Sequence, residues 1–393
     1  MERPGDSLVV YVLAVGTFLM LTTEFVVAGL LPEIAGDLQV SVAQAGLLIT
    51  VFAVGMVVGA PAMALLTRRM PRRTTLALAL AVFAAGHLVV AVGSSFPLLL
   101  AARFGTAFAT GAFWSVASVA ATRAAGPGAG ARALGLVGAG GMLANVLGVP
   151  LGAFAGQLSG WRGLFWALAA LSLAAVPLIA RHVPREEDDQ PPVSVRSELG
   201  PMRSGRLWLV LAACATTTGG VLSAYSYIAP LLTDRAGIAP GWVPLVLMGF
   251  GVGSLIGTIY GGRLGDARPH TTTIAVAAST TVVLLATYLL SANAVPTVLL
   301  VVLLGLVGLS ANPVLSALAV RFSGVAPTLG VAMSVSAYNL GTAVGSWIAG
   351  HALGSGLGAA GPAVVGTAFA ALTLIPTIAI ARRSRRPVSG DAP

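Results

Sequence analysis

Residues 42–73 read VAQAGLLITVFAVGMVVGAPAMALLTRRMPRR. From Val42 to Leu66 there is no charged side chain. A run of roughly 20 apolar residues crosses a hydrocarbon core about 30 Å thick as a helix. The run then stops at Arg68, Arg69, Arg72 and Arg73. A membrane-spanning helix followed by a basic loop is therefore written into these residues. A barrel strand is excluded, because such strands are about 10 residues long and alternate in polarity, whereas this run is continuous. Similar runs recur along the whole chain of 393 residues, which is 56% hydrophobic and only 9% charged. Soluble domains carry about 25% charged residues. The chain is read as an all-α membrane protein.

Apolar runs between polar breaks give twelve segments: 9–31, 42–66, 76–92, 96–121, 134–158, 163–180, 207–232, 243–260, 271–290, 295–320, 330–353 and 363–380. Segments 3 and 4 divide at Ser94-Ser95-Phe96-Pro97, and segments 9 and 10 at Asn293-Ala294-Val295-Pro296. The first segment is too long for the apolar core of a secretory signal, has no A-x-A-like site after it, and is expected to be retained. All 22 basic side chains are arginine. All but Arg103, Arg162 and Arg235 fall on one side of the expected membrane, in the termini, the central stretch and the loops after segments 2, 4, 8 and 10. Basic residues mark the cytoplasmic side. Both termini are expected there, in a plasma membrane. The formal charge of +9 is then a topology signal, with no nucleic acid implied.

The absence of lysine excludes a phosphate-binding P-loop, which needs one, and Schiff-base chemistry, which needs a lysine amine. The single cysteine, Cys214, forms no intrachain disulfide and no metal cluster, and reads as a small buried hydrophobe. No cofactor and no metal are expected, and no Ser/His/Asp cluster lies within the segments to make the chain an enzyme. His87 and His351 read as packing residues, and Trp208 and Trp242 as interface anchors.

The chain repeats. A shift of 198 residues, the step from Pro32 to Pro230, also places Phe52 on Phe250, Gly55 on Gly253, Gly59 on Gly257 and Leu66 on Leu264. Two six-helix bundles are expected, at 1–180 and 206–393, joined by a cytoplasmic linker at 181–205. That linker holds Glu186, Glu187, Asp188, Asp189, Pro191 and Pro192 and lacks an apolar face. Parallel repeats joined in this way imply alternating access, with a site near the bilayer midplane. The Gly55 and Gly59 spacing reads as packing between helices of one monomer, and the chain is expected to be a monomer.

Among thirteen acidic residues, only Glu24 lies well inside a segment, and Arg103 is the only arginine that does. A charge at that depth is costly and marks a functional site by default. Glu24 precedes Leu31 by seven residues, and Arg103 follows Phe96 by seven. At 1.5 Å per residue both lie roughly 10 Å below the same boundary. They are able to meet if segments 1 and 4 face one cavity. Protonation of Glu24 would then loosen its hold on Arg103 or on a substrate. In the repeat Glu24 falls on Leu222, so the second half has no equivalent acid. Trp114, Asn145, Tyr225, Asn312, Tyr338 and Asn339 are candidate substrate contacts, being aromatic or amide groups inside segments; each also suits helix packing.

Further motifs complete the pattern. Segment 1 carries Thr23-Glu24-Phe25 and Gly29-Leu30-Leu31-Pro32, and segment 4 carries Leu99, Arg103 and Gly111-Ala112-Phe113-Trp114. Segment 5 carries Asn145-Val146-Leu147-Gly148-Val149-Pro150-Leu151-Gly152, and Gly160-Trp161-Arg162 precedes Phe165. The loop after segment 8 holds Gly262, Leu264, Gly265 and Asp266. In these residues the chain resembles the major facilitator superfamily, in its twelve-helix drug:proton antiporter branch, and most closely the chloramphenicol exporters of actinobacteria and their sugar-efflux relatives. The resemblance implies two pseudo-symmetric six-helix bundles. It assigns conformational roles to Gly148, Pro150 and Gly152, to Arg69, Arg72 and Arg73, and to Gly262 and Asp266. Three departures stand out. Ala107 replaces a usual glycine; one residue is inserted between Gly148 and Pro150; and Ala64, Arg68 and Pro71 stand where Gly, Asp and Gly are expected.

The resemblance implies proton-coupled efflux of a small drug, chloramphenicol or a related phenicol, conferring antibiotic resistance. Its expected partners are that molecule, protons and the lipid bilayer. An exporter of a sugar, nucleoside or other small metabolite is the alternative; the scarcity of amides and carboxylates inside the segments counts against a sugar. A receptor or scaffold would lack the membrane charge pair.

Overall fold

The computed structural model describes residues 4–66, 70–125, 130–184, 204–324 and 327–385. The described residues are helical with no strand. In a bilayer every backbone group must be paired within its own segment, and helices achieve this.

The long helices are α1 Pro4–Val26, α2 Leu47–Leu66, α3 Arg72–Val92, α4 Phe96–Ala124, α5 Gly130–Leu143 continued by Val149–Ser159, and α6 Trp161–His182. They continue with α7 Gly205–Ser226, α8 Val243–Ala267, α9 Pro269–Leu290, α10 Ala294–Gly308 continued by Asn312–Phe322, α11 Pro327–Leu353 and α12 Gly361–Arg385. Eleven of them carry apolar stretches long enough to cross a membrane. The exception, α11, has 27 residues, about 40 Å of helix, but Ser334, Ser336, Tyr338, Asn339, Thr342, Ser346 and His351 dilute its hydropathy. With it the chain has the twelve helices of two six-helix repeats.

The step of 198 residues holds far beyond the first two helices. The α4 range Phe96–Ala124 maps onto 294–322, which is the full extent of α10 from Ala294 to Phe322. The packing repeats as well. An added Cβ at Gly55 would stand 2.6 Å from the Ala107 Cβ, and one at Gly59 3.0 Å from the Phe108 Cα, so α2 lies directly on α4. In the second half Gly253 meets the Val302 carbonyl, and Gly257 the Leu306 carbonyl, on α10. Lipid offers no hydrophobic drive between helices, so small residues permitting close van der Waals approach hold them together.

The helices pack as two units. The first gathers α1–α6 with Ser226–Gly251; the second gathers α7 up to Tyr225 with the chain from Val252 onward. Within the second, Leu207, Val210, Cys214, Val314, Leu315 and Leu318 form a buried cluster. Cys214 is fully buried there and unpaired.

Prolines place the irregular backbone. A π-helical turn, Ala144–Gly148, precedes Pro150. In α10 the regular helix lapses between Gly308 and Asn312, and the Asn312 amide closes back on the Leu309 carbonyl at 3.1 Å. Pro313 has no N–H for the carbonyl of Leu309, so a tighter turn takes up that acceptor. The equivalent residue in the first half is Ser115, and α4 runs unbroken. Between α5 and α6, Gly160 sits at φ +77°, a conformation that favours glycine.

Candidate functional site

The polar centre of the first unit is built by four helices. α4 contributes Arg103, α1 contributes Thr23 and Glu24, α3 contributes His87, and α2 contributes the Leu48 carbonyl and the Phe52 ring. Arg103 is only 1% exposed. Its Nη1 donates to Thr23 Oγ1 at 2.8 Å, and its Nε donates to the Leu48 carbonyl at 3.4 Å. The guanidinium carbon lies 4.3 Å from the Phe52 ring centroid, within the range where a cation is drawn to a ring face. Its Nη2 is buried and has no hydrogen-bond partner. A guanidinium placed so deep is tolerated because its other donors and its flat face are engaged.

Glu24 is half-buried. It acts on Arg103 electrostatically, yet no direct ion pair joins the two. The expected meeting of these charges takes an indirect form, with the arginine held by Thr23, the residue before the acid. The arrangement leaves a carboxylate and a free guanidinium donor as neighbours not yet bonded.

Thr23 is fully buried and also bonds His87 Nε2 at 2.8 Å. His87 Nδ1 lies 2.7 Å from the Phe83 carbonyl. The His87 ring is 1% exposed, with its centroid 4.1 Å from Phe83 and 5.6 Å from Phe165. The expectation of simple packing for His87 is incomplete: the ring packs between aromatics and also ends a polar chain that begins at Arg103. Depth could have found it, since His87 lies six residues before Gly93, where α3 ends. By contrast His351 is exposed, packs on Trp347 and bonds that residue's carbonyl. Trp208 is about half exposed and Trp242 more so.

The other candidate residues fall into separate places. Trp114 and Asn145 are half-buried in the first unit. Asn145 is the second residue of the π turn, after Ala144, and its carbonyl lies against Gly251. Gly148 and Gly152 are buried against Thr22 and Val26 of α1, and Pro150 is buried beside them. In the second unit Tyr338 donates to the Asn312 carbonyl at 2.8 Å and lies 3.1 Å from Ser316 Oγ, which ties α11 to the break in α10. The Asn312 and Asn339 side-chain oxygens are buried without partners. Tyr225 is buried at 2% exposure.

Arg69 lies outside the described residues. Arg72 is buried and Arg73 half-buried at the start of α3. Gly262, Gly265 and Asp266 line a cavity of about 200 Å³ with Pro313, Val314 and Arg321. A larger cavity, about 820 Å³, lies within the second unit between α8, α9 and α10, and it contains none of the candidate residues.

A clasp that the sequence does not announce closes the far end of α1. Asp37 is bonded by Arg162 and by Trp161 Nε1, the latter at 3.1 Å, and Arg162 also donates to the Gly93 carbonyl at 2.9 Å. Glu33, on the same short helix Leu31–Leu38, has its carboxyl raised above the usual range because burial disfavours the charge.

The family model of the Major Facilitator Superfamily matches residues 13–346. A chloramphenicol resistance protein of Streptomyces lividans is 35% identical, over 90% of this chain and 91% of its own. The inner membrane transport protein YdhP of Escherichia coli (strain K12) is 32% identical over 96% of each chain. A solved structure of a bacterial homolog to the human lysosomal transporter Spinster shares the fold, with a TM-score of 0.75 at 15% identity, covering 97% of this chain and 96% of that one.

Proposed function

We propose that this chain, which belongs to the major facilitator superfamily, exports a small drug of the phenicol class in exchange for protons. Membership makes it a membrane transporter rather than an enzyme. The finer reading rests on one observation above all: a half-buried carboxylate, Glu24, beside a buried guanidinium whose Nη2 is unpartnered. A carboxylate poised between desolvation and a nearby cation can take up and release a proton near neutral pH. The substrate class is supported by the Streptomyces lividans relative. Under this proposal Trp114, Asn145, Tyr225, Asn312, Tyr338 and Asn339 contact the drug, the bundles are 1–180 and 206–393, and the termini and linker 181–205 face the cytoplasm. The protein works as a monomer in the plasma membrane.

Export proceeds by exchange. With Glu24 ionised, the carboxylate attracts Arg103 or a polar group of the drug. Protonation removes that attraction and frees the drug for release outside. Loss of the proton to the cytoplasm resets the site.

The test is a susceptibility panel in a pump-deficient host carrying this chain. Resistance to chloramphenicol or a related phenicol is expected. Glu24→Gln should abolish resistance while protein levels stay unchanged, and a proton uncoupler should raise drug accumulation to the level of cells without the chain. Resistance that survives Glu24→Gln would refute the coupling, and resistance confined to other compounds would refute the substrate class.

A further inference from the structure

One polarity of the hydrogen bonds around Thr23 avoids a pair of buried cations. The Phe83 carbonyl only accepts, so the His87 Nδ1 bonded to it at 2.7 Å carries a proton. The guanidinium of Arg103 only donates, so Thr23 Oγ1 accepts from Nη1. With Nδ1 protonated, a neutral ring presents its lone pair at Nε2, and the Thr23 hydroxyl hydrogen has that nitrogen, at 2.8 Å, as its acceptor. A second proton on His87 would make Nε2 a donor to the other lone pair of Thr23 Oγ1 and set two cations two hydrogen bonds apart, a repulsion that the neutral ring avoids.

We infer that His87 is a positioning residue: as a neutral acceptor it fixes Thr23, Thr23 holds Arg103 away from the Glu24 carboxylate, and the acid is thereby left able to take up a proton. This rests on the exchange proposed above and names the group that tunes it. The free Nη2 of Arg103 is the arm that closes on Glu24 when the hold on Nη1 is lost. Within the first unit, the charged or titratable groups carried by elements around α1 are Arg103 on α4 and His87 on α3, then Arg72 and Arg73 at the start of α3, Arg123 at the end of α4, Arg132 on α5, Arg162, Arg181 and His182 at the ends of α6, Glu33 and Asp37 on Leu31–Leu38, and Tyr227, Asp234 and Arg235 beyond the outer turn. Among the described side chains, only the first two reach Thr23. The repeat puts Val221, Leu285 and Val301 at the positions of Thr23, His87 and Arg103, so the device belongs to the first half alone.

The experiment follows the protonated-carboxyl infrared band of the full-length protein that Glu24→Gln removes, as a function of pH and without any drug. Thr23→Val keeps the shape and deletes the hydroxyl. It frees Arg103 to approach the acid and should move the midpoint of the band about one pH unit to the acid side, because a closer cation favours the ionised form. His87→Phe should do the same. Thr23→Ser, which restores the hydroxyl, and His87→Gln, which offers an acceptor and carries no charge at any pH, should titrate like the wild type. A band unmoved by Thr23→Val overturns this inference alone. A shift in His87→Gln as large as in His87→Phe also overturns it, because an acceptor at that position would then not be what fixes Thr23. A wild-type protein with no such band overturns both this inference and the proton exchange.

Discussion

Arg103 shows what a membrane interior demands of one side chain. Its fork reaches Thr23 and the Leu48 carbonyl at once while its face lies on Phe52. A lysine has a single ammonium and no flat face. Arg103→Lys is therefore expected to export as poorly as Arg103→Ala, at least about 30-fold below wild type given losses of 2–3 kcal/mol or more on removing such contacts; efflux assays on both variants check this. Glu33 gives a separate prediction. Burial raises its carboxyl above the ordinary value, so the folded protein holds that proton more tightly than the unfolded chain. Stability from this group is present below the unfolded value and falls as pH rises through the folded one. Glu33→Gln should therefore melt higher than wild type at neutral pH and lose that advantage in acid; thermal unfolding at both pH values reads it. Glu24 and Arg103 were legible in the sequence because intramembrane charges are rare and their depths could be counted. The Thr23 bridge was not, since a threonine in a membrane helix ordinarily bonds its own carbonyl four residues back, as Thr22 does to Phe18.

Helix boundaries were legible where glycine, proline and paired serines break an apolar run: α3 ends before Gly93 and α4 starts at Phe96, α9 ends at Leu290 and α10 starts at Ala294. Breaks inside helices were hidden, because they depend on which backbone groups a proline leaves unpaired. The π turn Ala144–Gly148 is the informative case. A π turn accommodates one extra residue within an α-helix, and it lies immediately before Val149, the residue inserted between Gly148 and Pro150. Deleting Val149 should remove the turn and leave α5 a continuous α-helix with its two halves in register, because the turn is what absorbs that residue. The variant should insert into the membrane, yet Asn145 would lose the local backbone geometry of the turn and export should fall; surface expression and drug efflux measured together distinguish this from misfolding. Gly257 tests packing instead. Its α-carbon faces the Leu306 carbonyl, so Gly257→Val must push α8 from α10 and should destabilise by about 1–3 kcal/mol, seen as a lower melting temperature in detergent.

At the scale of the molecule, the repeat and the arginine distribution carry most of what the sequence could say. The repeat was visible because glycine and proline at helix contacts tolerate little change, and Gly55, Gly59, Gly253 and Gly257 all turn out to lie at such contacts. The asymmetry of charge between the halves was visible in Leu222 opposite Glu24. Substrate identity was not, because apolar and amide groups in a membrane cavity serve many ligands. The orientation set by arginine predicts that alkaline phosphatase fused after Arg73 or Arg386 stays inactive, whereas a fusion after Gln39 is active outside the cell. The exchange itself is tested most directly in inside-out vesicles with an acid interior, where drug uptake should run on the outward flow of protons. Wild-type vesicles should accumulate chloramphenicol only while that gradient lasts, and Glu24→Gln vesicles should take up no more than vesicles lacking the transporter. Gradient-driven accumulation by Glu24→Gln at the wild-type rate would show that residue 24 does not carry the coupling.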